Sequence, residues 1–249
     1  MRAIILAAGR GSRMGSLTAD EPKCFARLHG KRLLDWQVAA LRTAGLRDIA
    51  LVRGYRSECF EAPLVYFDNP RWQDSNMVRT LLAADAWLRA EDCIVSYSDI
   101  VYTADTVAAL VRTDADLAIA YDPAWLALWS RRFENPLDDA ETFRLDPRGK
   151  LHDIGRRAKE LSEIEGQYVG LLKLTPSAWA RVRNLLESLN DAELDRLDMT
   201  SLLRAGLQRD WHIAVSPVSG PWGEVDAQGD LELYHQLIAP EALQAPLTS

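Results

Sequence analysis

Two groups of residues in this chain have the types and spacing to do chemistry. The first is Gly9-Arg10-Gly11-Ser12-Arg13, which follows directly on the apolar run Ile4-Ile5-Leu6-Ala7-Ala8 and is followed, after a short polar stretch, by Pro22-Lys23. Glycines let a backbone approach a polyphosphate closely with free N–H groups aimed at it. Arg10, Arg13 and Lys23 add the positive charge that a triphosphate needs. The second group is acidic: Asp99 in Ser96-Tyr97-Ser98-Asp99-Ile100, and Glu224 and Asp226 in Trp222-Gly223-Glu224-Val225-Asp226. Glu224 and Asp226 alternate along an extended segment, so both point to one face. Like-charged carboxylates together are costly unless a cation or donor satisfies them. Asp99 and Asp226, with Glu224 as a further donor, are therefore candidates to share one Mg²⁺ whose shell is completed by triphosphate oxygens and water. The plainer alternatives are a βα turn with surface arginines and, for Asp99, a turn or helix cap.

Several other chemistries are excluded or disfavoured. The glycine loop lacks the third glycine of a dinucleotide-binding fingerprint and the Gly-Lys-Ser/Thr of a P-loop. Cys24, Cys59 and Cys93 are scattered, odd in number and form no C-x-x-C, which argues against a disulfide framework and for a reduced, cytoplasmic protein. A formal net charge of −7 with no basic stripe speaks against nucleic-acid binding by charge. Gly9 interrupts the N-terminal apolar run, so no signal peptide is expected, and no run is long enough to span a membrane.

The elements that must position these residues alternate. Apolar runs at 3–8, 48–52, 64–67, 93–96 and 116–121 read as strands, and helical spacing recurs at 33–41, 77–88 and 103–111, with Ala44-Gly45 as a C-terminal stop. This predicts an α/β fold, a mostly parallel open sheet with helices on both faces. After Tyr121 the pattern changes: strands at 143–145, 151–154 and 168–174 suggest an added antiparallel ribbon, followed by helices at 176–189 and 200–207, a late strand at 211–215 and a helix at 230–237. At 249 residues and 48% hydrophobic, with no linker or repeat, the sequence reads as one domain over 1–240 with a tail over 241–249. Ligands of such sheets bind beyond the carboxyl ends of the strands, where Asp99 stands. Asp114-Ala115-Asp116, the nearest candidate for a central Asp-x-Asp motif, precedes its strand and lies at the wrong end.

The glycine loop, Pro22-Lys23, an Asp after the fourth strand and a W-x-E-x-D near the C-terminus occur here in the order in which they occur in nucleotidylyltransferases of the GT-A-like fold, and the resemblance spans nearly the whole sequence. Within that family the sequence looks more like the small-acceptor cytidylyltransferases, which act on phosphocholine, 2-aminoethylphosphonate or phosphoglutamine, than like the sugar-1-phosphate enzymes. The segment from Trp129 to Thr142 is similar to the phosphonate and phosphoglutamine branch. The resemblance implies transfer of CMP from CTP to a small phosphorylated or phosphonate acceptor with release of pyrophosphate, in surface-glycan (capsule or lipopolysaccharide) or phosphonate metabolism. It implies that Gly9, Gly11, Arg13 and Lys23 hold the triphosphate, that Ser75 and Asn76 lie near cytosine or ribose, and that Ala8, Ser12 and Ser98 belong to the nucleotide-binding set. Lys23, Arg13, Asp99 and Asp226 are its catalytic set.

For the acceptor, Glu165 and Tyr168 lie where family contacts occur, and Lys159 sits where sugar-directed relatives place a phosphate-binding lysine or is an exposed turn residue. Tyr121, Trp125 and Trp129 could cage a quaternary ammonium or pack under a loop, and Arg132 could grip an acceptor anion or lie on the surface. Cys24, beside Lys23, is expected to pack rather than react. The alternatives are a sugar-1-phosphate nucleotidylyltransferase, a silent nucleotide-binding module and a GT-A glycosyltransferase. Eight tryptophans leave room for a homodimer interface.

Overall fold

A computed structural model describes residues 1–244, apart from the side chains of Arg13, Ser16 and Leu17. β1 (Arg2–Ala7) leads into the glycine loop and a single helical turn at Lys23–Phe25. A ribbon of β2 (Arg27–Leu28) and β3 (Lys31–Arg32) turns through His29 and Gly30, both at positive φ. Then come α1 (Leu33–Thr43), β4 (Ile49–Arg53), β5 (Val65–Asp68), α2 (Met77–Leu82), α3 (Asp85–Ala90), β6 (Cys93–Tyr97), β7 (Ile100–Val101), α4 (Ala104–Arg112) and β8 (Leu117–Asp122). The second half supplies α5 (Trp125–Arg132), β9 (Glu141–Leu145), β10 (Leu151–Arg157), β11 (Gln167–Leu174), α6 (Pro176–Leu186), α7 (Asp191–Arg196), α8 (Met199–Leu207), β12 (Ala214–Pro217), β13 (Gly223–Glu224), α9 (Gln228–Leu237) and α10 (Pro240–Gln244).

Seven strands form one sheet in the order β12-β8-β11-β6-β1-β4-β5. All neighbours are parallel except β11, which runs antiparallel between β6 and β8. Strand alternation divides the core. Ala3, Ile5 and Ala7 of β1 face α1 and α4, whereas Ile4 and Leu6 face α2, α3, α6 and α8. Both faces are covered, which is why the β1, β4, β6 and β8 sequences are continuous apolar runs. No helix among the described residues is long and apolar enough to cross a membrane.

The structure corrects several expectations. Only β9 and β10 form the antiparallel ribbon; the third expected member, β11, is buried at the centre of the main sheet. The helix expected over 77–88 breaks at Ala83-Ala84 into α2 and α3. The late strand begins at Ala214 rather than 211, and α5 is an element that the sequence pattern does not predict. The first described residues of the expected tail are not loose: Pro240–Gln244 is helical and buries Leu243 (4% exposed) beside Leu33 and Trp36. Residues 245–249 of that tail lie outside the described residues.

Candidate active site

The site is assembled at the carboxyl edge of β1 and β6. β6 ends at Tyr97, and the backbone turns through Ser98 and Asp99 into β7. Gln37 of α1, fully buried, holds that turn by donating to the carbonyls of Tyr97 (3.0 Å) and Ile100 (2.5 Å). β13 pairs antiparallel with β7, Glu224 opposite Ile100, and the Val225 N–H donates to the Asp99 carbonyl at 2.9 Å. This short ribbon brings Asp226 beside Asp99 from a distant part of the sequence. Asp122, at the end of β8, anchors it by accepting from the Trp222 indole N–H at 2.9 Å.

Lys23 enters from the other side. Its ammonium donates to Asp99 Oδ2 at 2.7 Å and to Asp226 Oδ1 at 2.8 Å. The residue is only 8% exposed. Burial works against its charge, but Asp99 and Asp226 outweigh it and hold the ammonium above its ordinary value. The stem of Lys23 runs against Gly11, whose φ is +68°; a Cβ there would lie 2.7–2.9 Å from three carbons of that stem. The second glycine of the loop is thus required by lysine packing as well as by backbone conformation. Among the described residues nothing lies within 4 Å of a Cβ position at Gly9, so none of them demands a glycine there. The loop is tied down by Thr18 donating to the Gly11 carbonyl (3.0 Å) and Tyr55 donating to those of Thr18 and Ala19.

Asp99, Glu224 and Asp226 each present a carboxylate oxygen, all within 4.8 Å of one another. Glu224 is pushed up to about 8 by burial first, then by Asp226 and Asp99. Asp99 Oδ1 is buried without a hydrogen-bond partner. Clustered hard oxygen donors with an unsatisfied lone pair fit a divalent cation such as Mg²⁺, which takes few protein ligands and keeps positions for phosphates and water.

Beside the cluster is a cleft of about 220 Å³ that includes Glu224, Asp226, Trp129 and Tyr168. Glu141 and Asp198 also line it, and its described lining includes no Lys or Arg. Burial pushes the Glu141 carboxyl up, opposed by a hydrogen bond from Thr200. The Trp129 indole N–H is buried without a partner. A more open hollow of about 630 Å³ between β10 and the end of α8 shares none of these residues.

The other expected residues fall in different places. Asn76 caps α2 by accepting the Met77 N–H at 2.8 Å, and Ser75 accepts from Asn69 at 3.1 Å. Ala8 is buried and its carbonyl accepts the Tyr55 N–H. Ser12 lies on the exposed glycine loop, and the Arg13 side chain lies outside the described residues. Trp129 and Tyr168 line the cleft; Lys159 and Glu165 do not. Lys159 is exposed on a turn where its N–H donates to Glu163, and the exposed Glu165 accepts the Leu145 N–H. Tyr121, Trp125 and Trp129 do not form one cage: Tyr121 stacks on Phe143 at 5.1 Å and Trp125 donates to the Ile164 carbonyl. Arg132 is not free to meet an acceptor, because its side chain is 1% exposed and paired with Asp226 and Asp230 behind the carboxylate cluster. Cys24 is packed, 1% exposed, with its thiol pushed far up by burial. Sequence reasoning gives no site role to Glu141, although it lies in the Trp129–Thr142 segment, and misses Asp198, which carries no motif, and Asp230, whose spacing of four from Asp226 at a helix start is the available signal.

Residues 3–197 match the MobA-like NTP transferase domain family. The chain is 36% identical to the CTP:phosphoglutamine cytidylyltransferase of Campylobacter jejuni, covering 94% of this chain and 98% of that one. It is 26% identical to the 2-aminoethylphosphonate cytidylyltransferase of Lancefieldella rimae, over 66% and 64%. The inositol-1-phosphate CTP transferase of T. maritima shares the fold with a TM-score of 0.77 at 18% identity, covering 100% and 98% of the two chains. The CTP:phosphocholine cytidylyltransferase of Streptococcus pneumoniae does so at 0.72 and 18%, covering 96% and 99%. With its glycine loop, its buried lysine and two carboxylates at the sheet edge, the chain belongs to the MobA-like NTP transferase domain family and is a nucleotidyltransferase.

Proposed function

We propose that this enzyme transfers CMP from CTP to a small phosphorylated or phosphonate acceptor, releasing pyrophosphate, with Mg²⁺ as its cofactor. The observation that carries the reading is the Lys23–Asp99–Asp226 cluster at the mouth of the glycine loop, in a protein over a third identical along its length to a cytidylyltransferase. The acceptor's phosphate or phosphonate oxygen forms a bond to the α-phosphorus as the bond to the pyrophosphate oxygen breaks in line. That nucleophile is already anionic, so no general base is needed, and catalysis rests on positioning and charge neutralisation. The glycine-loop N–H groups and Lys23 hold the triphosphate and meet negative charge on the transferring and leaving groups. Asp99 and Asp226, with Glu224 beside them, would hold the Mg²⁺, which supplies Lewis-acid neutralisation of the phosphates. The cleft beside them, rich in carboxylates, suits an acceptor whose other end is cationic.

The test is pyrophosphate release with Mg²⁺, each of the four NTPs being offered with phosphocholine, 2-aminoethylphosphonate, phosphoglutamine and glucose-1-phosphate. Turnover confined to CTP and one of the nitrogen-bearing acceptors is expected. Turnover with glucose-1-phosphate would place the enzyme among the sugar-directed transferases instead, and binding without turnover on every pairing would make it a nucleotide-binding module.

A further inference from the structure

Behind the carboxylate cluster lies a second, largely buried layer of charge. Arg132 is the last residue of α5, and its guanidinium lies against the rings of Trp129 and Phe133, 5.1 Å from each centroid. It donates from Nε to Asp230 Oδ1 at 2.9 Å, and a terminal nitrogen reaches Asp230 Oδ2 and Asp226 Oδ2, both at 3.4 Å. The other terminal nitrogen lies 3.7 Å from Glu224. Asp230, at the start of α9, also accepts the backbone N–H groups of Asp226 (2.7 Å) and Ala227 (2.9 Å). The Asp226 carboxylate is therefore held from two sides: one oxygen by Lys23 in front, the other by Arg132 behind, with its backbone fixed by Asp230. Asp122 sets the starting point of this arrangement, accepting the Ala124 N–H just before α5 and the Trp222 indole N–H just before β13.

We infer that Arg132 and Asp230 are positioning residues that fix the Asp226 carboxylate, and with it Glu224, for cation and triphosphate binding. The inference rests on the proposed metal-dependent transfer. An exposed arginine contacting substrate would be solvated in the free enzyme; this one is enclosed by aromatic rings and three carboxylates, so it acts through them. Lysine cannot reproduce the fork that reaches Asp230 and Asp226 together.

The test compares wild type with Arg132→Met, Arg132→Lys and Asp230→Asn. Mn²⁺ binding is measured directly, by electron paramagnetic resonance in the presence of CTP and without acceptor, alongside melting temperature and steady-state kinetics. Loss of an outer partner of a ligand costs about 10–100-fold in metal affinity or activity, so Arg132→Met should bind Mn²⁺ at least tenfold more weakly. Its kcat should fall while the KM for the acceptor stays within about threefold of wild type, and Arg132→Lys should recover only part of the loss. Asp230→Asn keeps an oxygen for the Asp226 N–H and carries the comparison should Arg132→Met melt early. A folded Arg132→Met that keeps or gains Mn²⁺ affinity would overturn the inference, as would a rise confined to the acceptor KM, which would make Arg132 a substrate contact. Wild type failing to turn over CTP would sink the functional proposal alone, since the Mn²⁺ arm still reads the positioning role.

Discussion

Replacing Gly11 by alanine tests the coupling of the glycine loop to the lysine. The new Cβ would lie 2.7 Å from Lys23 Cδ, 2.8 Å from its Cβ and 2.9 Å from its Cγ. The lysine cannot simply swing away, because its ammonium is pinned by Asp99 and Asp226 and its stem is buried. The left-handed φ of +68° adds about 1–2 kcal/mol for a residue with a Cβ, and the steric conflict about 1–3 kcal/mol. Local detachment of the loop caps the sum, so a loss of about 2–3 kcal/mol is expected, near 5–10 °C in melting temperature for a protein of this size. A misplaced lysine should lower kcat by about a hundredfold. Gly9→Ala is the contrast. It meets nothing within 4 Å among the described residues, so it should melt like wild type but bind CTP more weakly, because its Cβ intrudes where phosphates approach. Calorimetry and pyrophosphate-release kinetics on both variants read the difference. A Gly11→Ala enzyme with wild-type melting and turnover, or two variants equal in stability, would show that the loop and Lys23 are not coupled.

Three further outcomes follow from the same geometry. Glu224, raised to about 8 in the fold, binds its proton more tightly there than in the unfolded state. The metal-free protein should therefore lose stability as pH rises from about 5 to about 8, and Glu224→Gln or added Mg²⁺ should flatten that slope in pH-dependent melting. Lys23 contributes no slope in that window: its raised value keeps it charged until well above neutrality. Lys23→Met leaves Asp99 and Asp226 facing each other without the ammonium that bridges them, so it should melt lower in EDTA, recover partly with Mg²⁺, and lose about 10²–10³-fold in kcat; equal melting in EDTA would argue against the pairing. Cys24→Ala should keep turnover within a few-fold, since the thiol is buried and points to no reacting atom, and a larger loss without a fall in stability would revive a chemical role for it.

Much of the architecture is legible because it is written locally. The β1, β4, β6 and β8 runs are apolar on both faces, and such strands announce themselves without knowledge of their neighbours. Asp99 is placed by the rule that sites gather at carboxyl ends of strands, and Glu224 and Asp226 by their alternation. What is not legible depends on distant partners. Nothing near Arg132 says that its partners lie 94 and 98 residues away, so it reads as a surface arginine. β11 looks like a ribbon strand because its central position depends on the backbone reversing before it enters the sheet. The break between α2 and α3 falls in Ala83-Ala84, with no glycine or proline to mark it. Glu141 and Asp198 meet in the cleft through Thr200 at the start of α8, whose hydroxyl lies 3.3 Å from a carboxylate oxygen of each.

The most direct test of the central claim is pyrophosphate release from CTP by wild type and Asp226→Asn across a Mg²⁺ titration, with the acceptor that gives turnover. Wild type should release pyrophosphate only when CTP, acceptor and Mg²⁺ are all present, and a folded Asp226→Asn should do so about 10²–10³-fold more slowly. Full activity in EDTA, or an Asp226→Asn enzyme within a few-fold of wild type, would contradict it.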